Sequence, residues 1–132
     1  MAIQLSDAVR NARADAVEST IGTAPILRIR TGSPPANCAA ARSGTVLVSI
    51  TLPSDWLGNA SSGTKSKSGT WSATASASGT AGHFEIMDSS GTTCHWQGTV
   101  GTSGADMILD NTSINSGQTV TITTFTWTEG NS

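Results

Sequence analysis

Between Thr45 and Leu52 the chain alternates: Val46, Val48, Ile50 and Leu52 share one parity, and Thr45, Leu47, Ser49 and Thr51 the other. Successive side chains leave a pleated backbone on opposite faces, so period two is the signature of a strand with one face buried. Pro53, which has no N–H to give a ladder, ends the run. The pattern recurs. Ile26 to Thr31 places Leu27 and Ile29 against Arg28 and Arg30, and Gly32-Ser33-Pro34-Pro35 breaks it into a loop running to Ser43. Ala105 to Asp110 reads as a short strand and Gly117 to Thr128 as a long one. In the long strand Val120 and Ile122 have one parity, Phe125 and Trp127 the other. The slip at Thr123-Thr124 predicts a bulge or a bend.

Thr80 to Val100 predicts a hairpin. A three-residue loop after Asp88, with Gly91 left-handed, pairs Asp88 with Thr92, Ile86 with Cys94 and Phe84 with Trp96. Phe84, Ile86, Cys94, Trp96 and Val100 then share a core face, and His83, Glu85, His95 and Gln97 share a polar one. Thr64 to Ala77 is small and polar around Trp71. It reads as one or two edge strands blunted by Lys65 and Lys67. Ser54 to Gly63 reads as a loop carrying Trp56 and Leu57.

One stretch departs from period two. Ser6 is an N-cap, Asp7 suits the positive end of a helix dipole, and Gly22 is a stop. Leu5, Val9, Ala12 and Ala16 fall on one helical face, with Val17 and Ile21 at its edge. The expectation is an N-terminal helix that packs either on its own domain or, as an arm, on another subunit. Seven or eight short strands then imply an all-β, antiparallel jelly-roll-like sandwich. The division is a helical arm over 1–24 and a single β-sandwich domain over 25–132.

Composition narrows the function classes. The 132 residues suit one domain, and 36% hydrophobic content is too high for a disordered chain. Seven basic residues face nine acidic ones, and Ser68 to Ser132 holds no Lys or Arg, so the basic excess of a nucleic-acid binder is missing. Residues 1–44 carry five arginines against three carboxylates, a mild asymmetry suited to an acidic partner surface. No apolar run approaches the ~18 residues that span a bilayer. The opening Met1-Ala2-Ile3-Gln4-Leu5 lacks a signal-peptide pattern, so a cytoplasmic start is expected.

Candidate chemistry is sparse. His83, Glu85, Cys94 and His95 are the one cluster with metal-ligand residue types, yet the hairpin register splits Cys94 from the others. The preferred reading is a surface Glu85–His95 pair, with zinc as the alternative. Cys38 and Cys94 read as two thiols, with a disulfide as the alternative. Gly101-Thr102-Ser103-Gly104-Ala105 misses the nucleophile elbow, and neither phosphate-binding glycine motif occurs. No catalytic, cofactor or metal residue is assigned. Among the four tryptophans, Trp96 and Trp127 fit a core. Trp56 and Trp71 lie in polar sequence and suit interface anchors, or a sugar-stacking platform.

Several stretches carry a resemblance. They are Ala2-Ile3-Gln4-Leu5-Ser6, Ala8-Val9-Arg10-Asn11-Ala12-Arg13, Ile21-Gly22-Thr23, Leu27-Arg28-Ile29-Arg30-Thr31-Gly32, Pro35-Ala36-Asn37-Cys38-Ala39-Ala40, Gly82-His83-Phe84, Gly91-Thr92-Thr93-Cys94-His95 and Gln97-Gly98-Thr99-Val100. Together they resemble small proteins encoded in head-gene clusters of tailed bacteriophages and prophages. They are also similar to the jelly-roll capsid cement (decoration) proteins of Bordetella-type phages. The resemblance implies a non-enzymatic virion protein on the capsid exterior, present in the host cytoplasm during assembly. Its partner would be a major capsid protein of the HK97 type. It would act as a dimer or trimer, without cofactor, nucleic acid or membrane. The expected interface residues are Val9, Arg10, Arg13, Val17, Pro34, Pro35, Trp56 and Trp71. The alternative is a phage tail or fibre component that binds a host surface glycan. Truncating residues 1–24 is expected to remove docking and leave the sandwich folded.

Overall fold

The computed structural model describes residues 3–128; residues 1–2 and 129–132, the outer ends of the expected arm and sandwich, lie outside them. The described residues form one helix, α1 (Asp7–Ile21), and nine strands. These are β1 (Ile26–Thr31), β2 (Val46–Thr51), β3 (Thr64–Ser66), β4 (Ser72–Thr74), β5 (Gly79–Met87), β6 (Cys94–Gly101), β7 (Met107–Leu109), β8 (Ser113–Ile114) and β9 (Thr119–Thr128). The strands run in the order β2-β1-β5-β6-β7-β9-β3 around a curled sheet, roughly half a barrel. The fold is therefore all-β with an N-terminal helix. Neighbours are antiparallel except β6 and β7, which run parallel.

Burial follows the expected alternation on β1, whereas on β2 Leu47, which has the parity of Thr45 and Ser49, is buried along with Val48 and Ile50. Leu27 and Ile29 on β1 stand beside Ile50 and Val48 on β2, and beside Ile86 and Phe84 on β5. All six are buried in one core. β9 also follows its sequence. Ile108 pairs with Thr124 but Leu109 with Ile122, so β9 carries one extra residue at Thr123. The slip lets Val120 and Ile122, then Phe125, all point inward. β3 and β4 lie in tandem along β9, as two strands rather than one.

Beyond Cys94 the hairpin keeps its predicted parity but not its register. Gly91 is left-handed at φ 73, as expected. Asp88 then takes a larger loop than predicted: its N–H donates to Thr93 O at 3.0 Å, and its Oδ1 accepts from Thr92 N (3.0 Å) and Thr93 N (3.4 Å). Met87 consequently faces Cys94, and an irregularity beyond it brings Ile86 to Trp96 and Phe84 to Gly98. The total slip is two residues. Beyond the irregularity the slip is even, so Phe84, Ile86 and Trp96 keep the core face and His83, Glu85 and Gln97 the polar one. At Cys94 the slip is a single residue, and Cys94, expected on the core face, instead stands opposite Met87 and meets Arg42 on the polar side.

All four Trp and both Phe, with no Tyr in the chain, form one connected cluster. Trp56 lies 6.0 Å from Trp71 and 5.9 Å from Trp96, between ring centroids. Trp71 and Trp96 both meet Phe125, which meets Phe84 edge-on. Trp96 also meets Trp127 at 4.9 Å. Trp56 and Trp71 are 0% exposed, which corrects the interface role expected of both. Polar flanking sequence is no obstacle to their burial, because each indole N–H finds a backbone carbonyl: Trp56 donates to Gly22 O and Trp71 to Ser68 O, both at 3.0 Å.

The helix begins where predicted, with Ser6 accepting from Val9 N at 3.3 Å, and ends at Gly22, φ 94. Its face is rotated from expectation. Arg10, Ala14 and Ile21 are buried, while Val9, Ala12 and Ala16 are exposed. Docking is by polar latches. Asn11 accepts from Gly63 N at 2.8 Å and Glu18 from Leu57 N at 3.1 Å. Lys65, 3% exposed, reaches Asp15 at 2.6 Å and Glu18 at 2.9 Å. Burial pulls the Lys65 pKa down, but the bonds and charges of Asp15 and Glu18 outweigh it and hold it above 10.5. Lys65 is thus a latch to the helix and not an edge-strand guard.

Two outcomes follow. Trp71→Ala is expected to lower unfolding free energy by about 3–5 kcal/mol in urea titrations, and the half-buried Trp127→Ala by clearly less. The Asp88 carboxylate is held from 3.8 down to about 2, chiefly by the Thr92 N–H and then the Ser90 hydroxyl. A depressed carboxylate stabilises above its unfolded pKa, so this contribution is lost as pH falls from 3.8 towards 2. Asp88→Asn should flatten that limb of the Tm–pH curve, and carboxyl NMR titration should assign it to Asp88.

Candidate functional site

The polar face of β5 and β6 is not a solvent face. Residues 32–45, between β1 and β2, lie across it as a strap. Glu85 and His83 beneath are both 0% exposed. Glu85 faces Arg28 on β1 and Gln97 on β6, so the expected Glu85–His95 pair does not form. Instead Arg30 Nε donates to Glu85 Oε1 at 2.7 Å and Arg42 Nη1 to Oε2 at 3.2 Å. A carboxylate taken from water needs such partners at both oxygens.

Arg42 is the hub of the strap. Nη1 also donates to Gln97 Oε1 at 3.0 Å and to Cys94 Sγ at 3.5 Å. Nη2 donates to the carbonyls of Asn37 (2.7 Å), Ala40 (3.0 Å) and Cys38 (3.2 Å). One guanidinium therefore folds the strap's turn and pins it to the sheet. Gln97 Nε2 adds a bond to Pro35 O at 2.7 Å. Close approach of strap and sheet also needs Gly82, where a Cβ would lie 2.1 Å from Gly32 O. Pro34 and Pro35 are half-buried in this strap.

Beneath the same strap His83 Nδ1 lies 3.0 Å from Gly32 O. A carbonyl only accepts, so Nδ1 carries the proton. His83 Nε2 is buried without a hydrogen-bond partner. His95 lies elsewhere, in a shallow pocket with Arg13, Val17, Thr20, Ile21 and Trp96. The four residues read as a possible metal cluster are thus dispersed, and among the described residues no three of His, Cys, Asp and Glu converge. Cys38 and Cys94 are free and half-buried, and Arg42 reaches both, the carbonyl of Cys38 and the sulfur of Cys94. Burial pushes the Cys94 thiol up to about 12, helped by Cys38 and opposed by Arg42.

A second feature lies between β6, β7 and β9. It is an open groove of about 450 Å³, lined by Phe84, Trp96, Phe125 and Trp127 with Asp106, Thr124 and Thr126. Asp106 Oδ2 is engaged by Thr99 N at 2.9 Å. Trp96 and Trp127, read from sequence as core residues, contribute to this wall as half-buried rings.

The third feature is the outer face of α1. Among the described residues the exposed large hydrophobics are Ile3 (80%) and Val9 (45%), both N-terminal. Val9, Ala12 and Ala16 follow one another at helical spacing, with Arg13 also on the surface. Of the expected interface residues, Val9 and Arg13 are therefore outside. Arg10 is 7% exposed and packs over Gly63, so it presents no surface, while Val17 is half-buried, packing on the core and lining the shallow pocket at His95. These corrections share one cause. The helix turns its polar latches inward.

No protein-family model, curated protein or solved structure matches the chain.

Glu85→Gln leaves two half-buried guanidinium groups without their carboxylate. It is expected to cost about 3 kcal/mol in denaturant titration and to speed alkylation of Cys38, because the strap loosens. An unchanged alkylation rate would show that Glu85 does not hold the strap.

Proposed function

We propose that the protein is a non-enzymatic capsid decoration subunit that docks on the outside of a phage shell through the outer face of α1. The observation that carries this reading is the apolar stripe of Val9, Ala12 and Ala16, with Ile3 before it, left outside while every aromatic ring joins the inner cluster. Apolar side chains clustered on an exposed helix face suit a partner. The helix is latched at Asn11, Asp15 and Glu18, so it presents that stripe rigidly and loses little entropy on docking. Many copies on a repeating lattice would hold the shell by avidity, each with modest affinity. The resemblance to phage head-cluster proteins supports the same assignment, and a dimer or trimer accords with it.

A glycan-binding tail or fibre role is the second reading, favoured by the groove at Trp96 and Trp127. Aromatic walls beside a carboxylate and hydroxyls suit a sugar's apolar face and its hydroxyl edge.

The latches change the test. Removing residues 1–24 would strip Lys65 of both carboxylates and Trp56 of its Gly22 carbonyl, so loss of docking would follow from unfolding. Surface substitutions are cleaner. Val9→Asp is expected to leave Tm within a few degrees and to reduce co-sedimentation with undecorated shells at least tenfold, by roughly 1.4 kcal/mol. Trp127→Ala should not affect sedimentation. The reverse pattern, with glycan binding lost in Trp127→Ala, would favour the tail reading.

A further inference from the structure

We propose that Cys38 and Cys94 are a built-in redox clasp, forming a reversible intramolecular disulfide that fastens the strap to β6 by exchange with a small-molecule disulfide such as oxidised glutathione. The two residues come from distant parts of the sequence, and one side chain organises both: Arg42 holds the Cys38 carbonyl through Nη2 and the Cys94 sulfur through Nη1. Arg42 is itself fixed by the fully buried Glu85. The Cys94 thiol donates to Trp96 O at 3.4 Å, which sets the position of its sulfur. Both residues are half-buried, so a small disulfide can approach the strap while the pair stays ordered. One guanidinium spans the two residues, so they are neighbours in the folded protein and closure draws together groups that the strap already brings near each other.

The exchange proceeds in two steps. Deprotonated Cys38 attacks one sulfur of the small disulfide; its S–S bond breaks, one thiol leaves, and Cys38 carries a mixed disulfide. Cys94 then loses its proton and attacks Cys38 Sγ, expelling the second thiol. Two protein thiols are oxidised and one small disulfide is reduced to two thiols, which take up both protons. The raised pKa of Cys94 suits it to the second, intramolecular step, where proximity compensates for a low thiolate fraction. The dithiol form belongs to a reducing cytoplasm and the closed form to an oxidising medium. Only the consequence that a released particle carries closed clasps rests on the proposed function. The cross-link does not.

The test uses the reduced full-length protein with oxidised glutathione at mildly alkaline pH. The expected product is a monomer lighter by two hydrogens, with one Cys38–Cys94 cross-linked peptide. Its Tm should rise by roughly 10 °C and fall back on reduction. In Cys94→Ser the reaction should stop at a single glutathione adduct on Cys38. The proposal is overturned if wild-type protein accumulates adducts on both cysteines, forms disulfides between copies, or closes only when unfolded. Failure of shell docking would leave these results unaffected, so the two readings fail separately.

Discussion

The aromatic cluster is the interaction on which the rest of this structure depends. A chain with six aromatic residues and short strands has few ways to fill the space inside a half-closed sheet. It uses all six in one place. Trp56 and Trp71 come from segments around the small β3 and β4, Trp96 from β6, Phe84 from β5, and Phe125 and Trp127 from β9. The rings therefore tie the irregular segments to the regular strands. Burying the Trp56 indole also fixes the helix, because its N–H reaches the Gly22 carbonyl at the helix end. The polar latches at Lys65 and Glu18 complete that attachment.

The consequence is a division of surfaces. Core packing consumes the aromatic bulk, and polar latches consume the inward face of α1. The outward stripe then remains as one apolar surface, the groove at Trp96 and Trp127 being another, and it is the stripe that supports the proposed docking role. On the opposite face of β5 and β6 a buried carboxylate does the comparable work for the strap. Glu85 costs free energy to bury, and Arg30 and Arg42 offset that cost only while the strap stays in place. Strap closure and charge satisfaction are thus one event, and the thiol pair sits at its edge.

The fold was largely legible in the sequence because its determinants are local. Period two in β1 and β2, the cap at Ser6, the stop at Gly22, the left-handed Gly91 and the parity slip in β9 each act within a few residues. What escaped sequence reading is set by distant partners. The exact hairpin register depended on how many N–H groups Asp88 collects. The helix face was misread because the inward side is mixed, Ala14, Val17 and Ile21 standing beside the polar latches Asn11, Asp15 and Glu18, so hydrophobic periodicity alone does not single it out. The burial of Trp56 and Trp71 depended on carbonyls that local composition does not reveal. The Glu85 site did leave a trace. Arg28 and Arg30 share a parity on one strand and Glu85 has the polar parity of another, a charge match that becomes informative once β1 and β5 are neighbours. Arg42, in the loop, left none.

The central claim is that this rigid β body decorates a shell with the outer face of its helix. Cryo-electron microscopy of shells incubated with the protein tests it most directly. The account predicts regular density on the outer surface, with Val9, Ala12 and Ala16 at the contact and the groove at Trp96 and Trp127 facing away. Bare shells, or density confined to the tail, would contradict it.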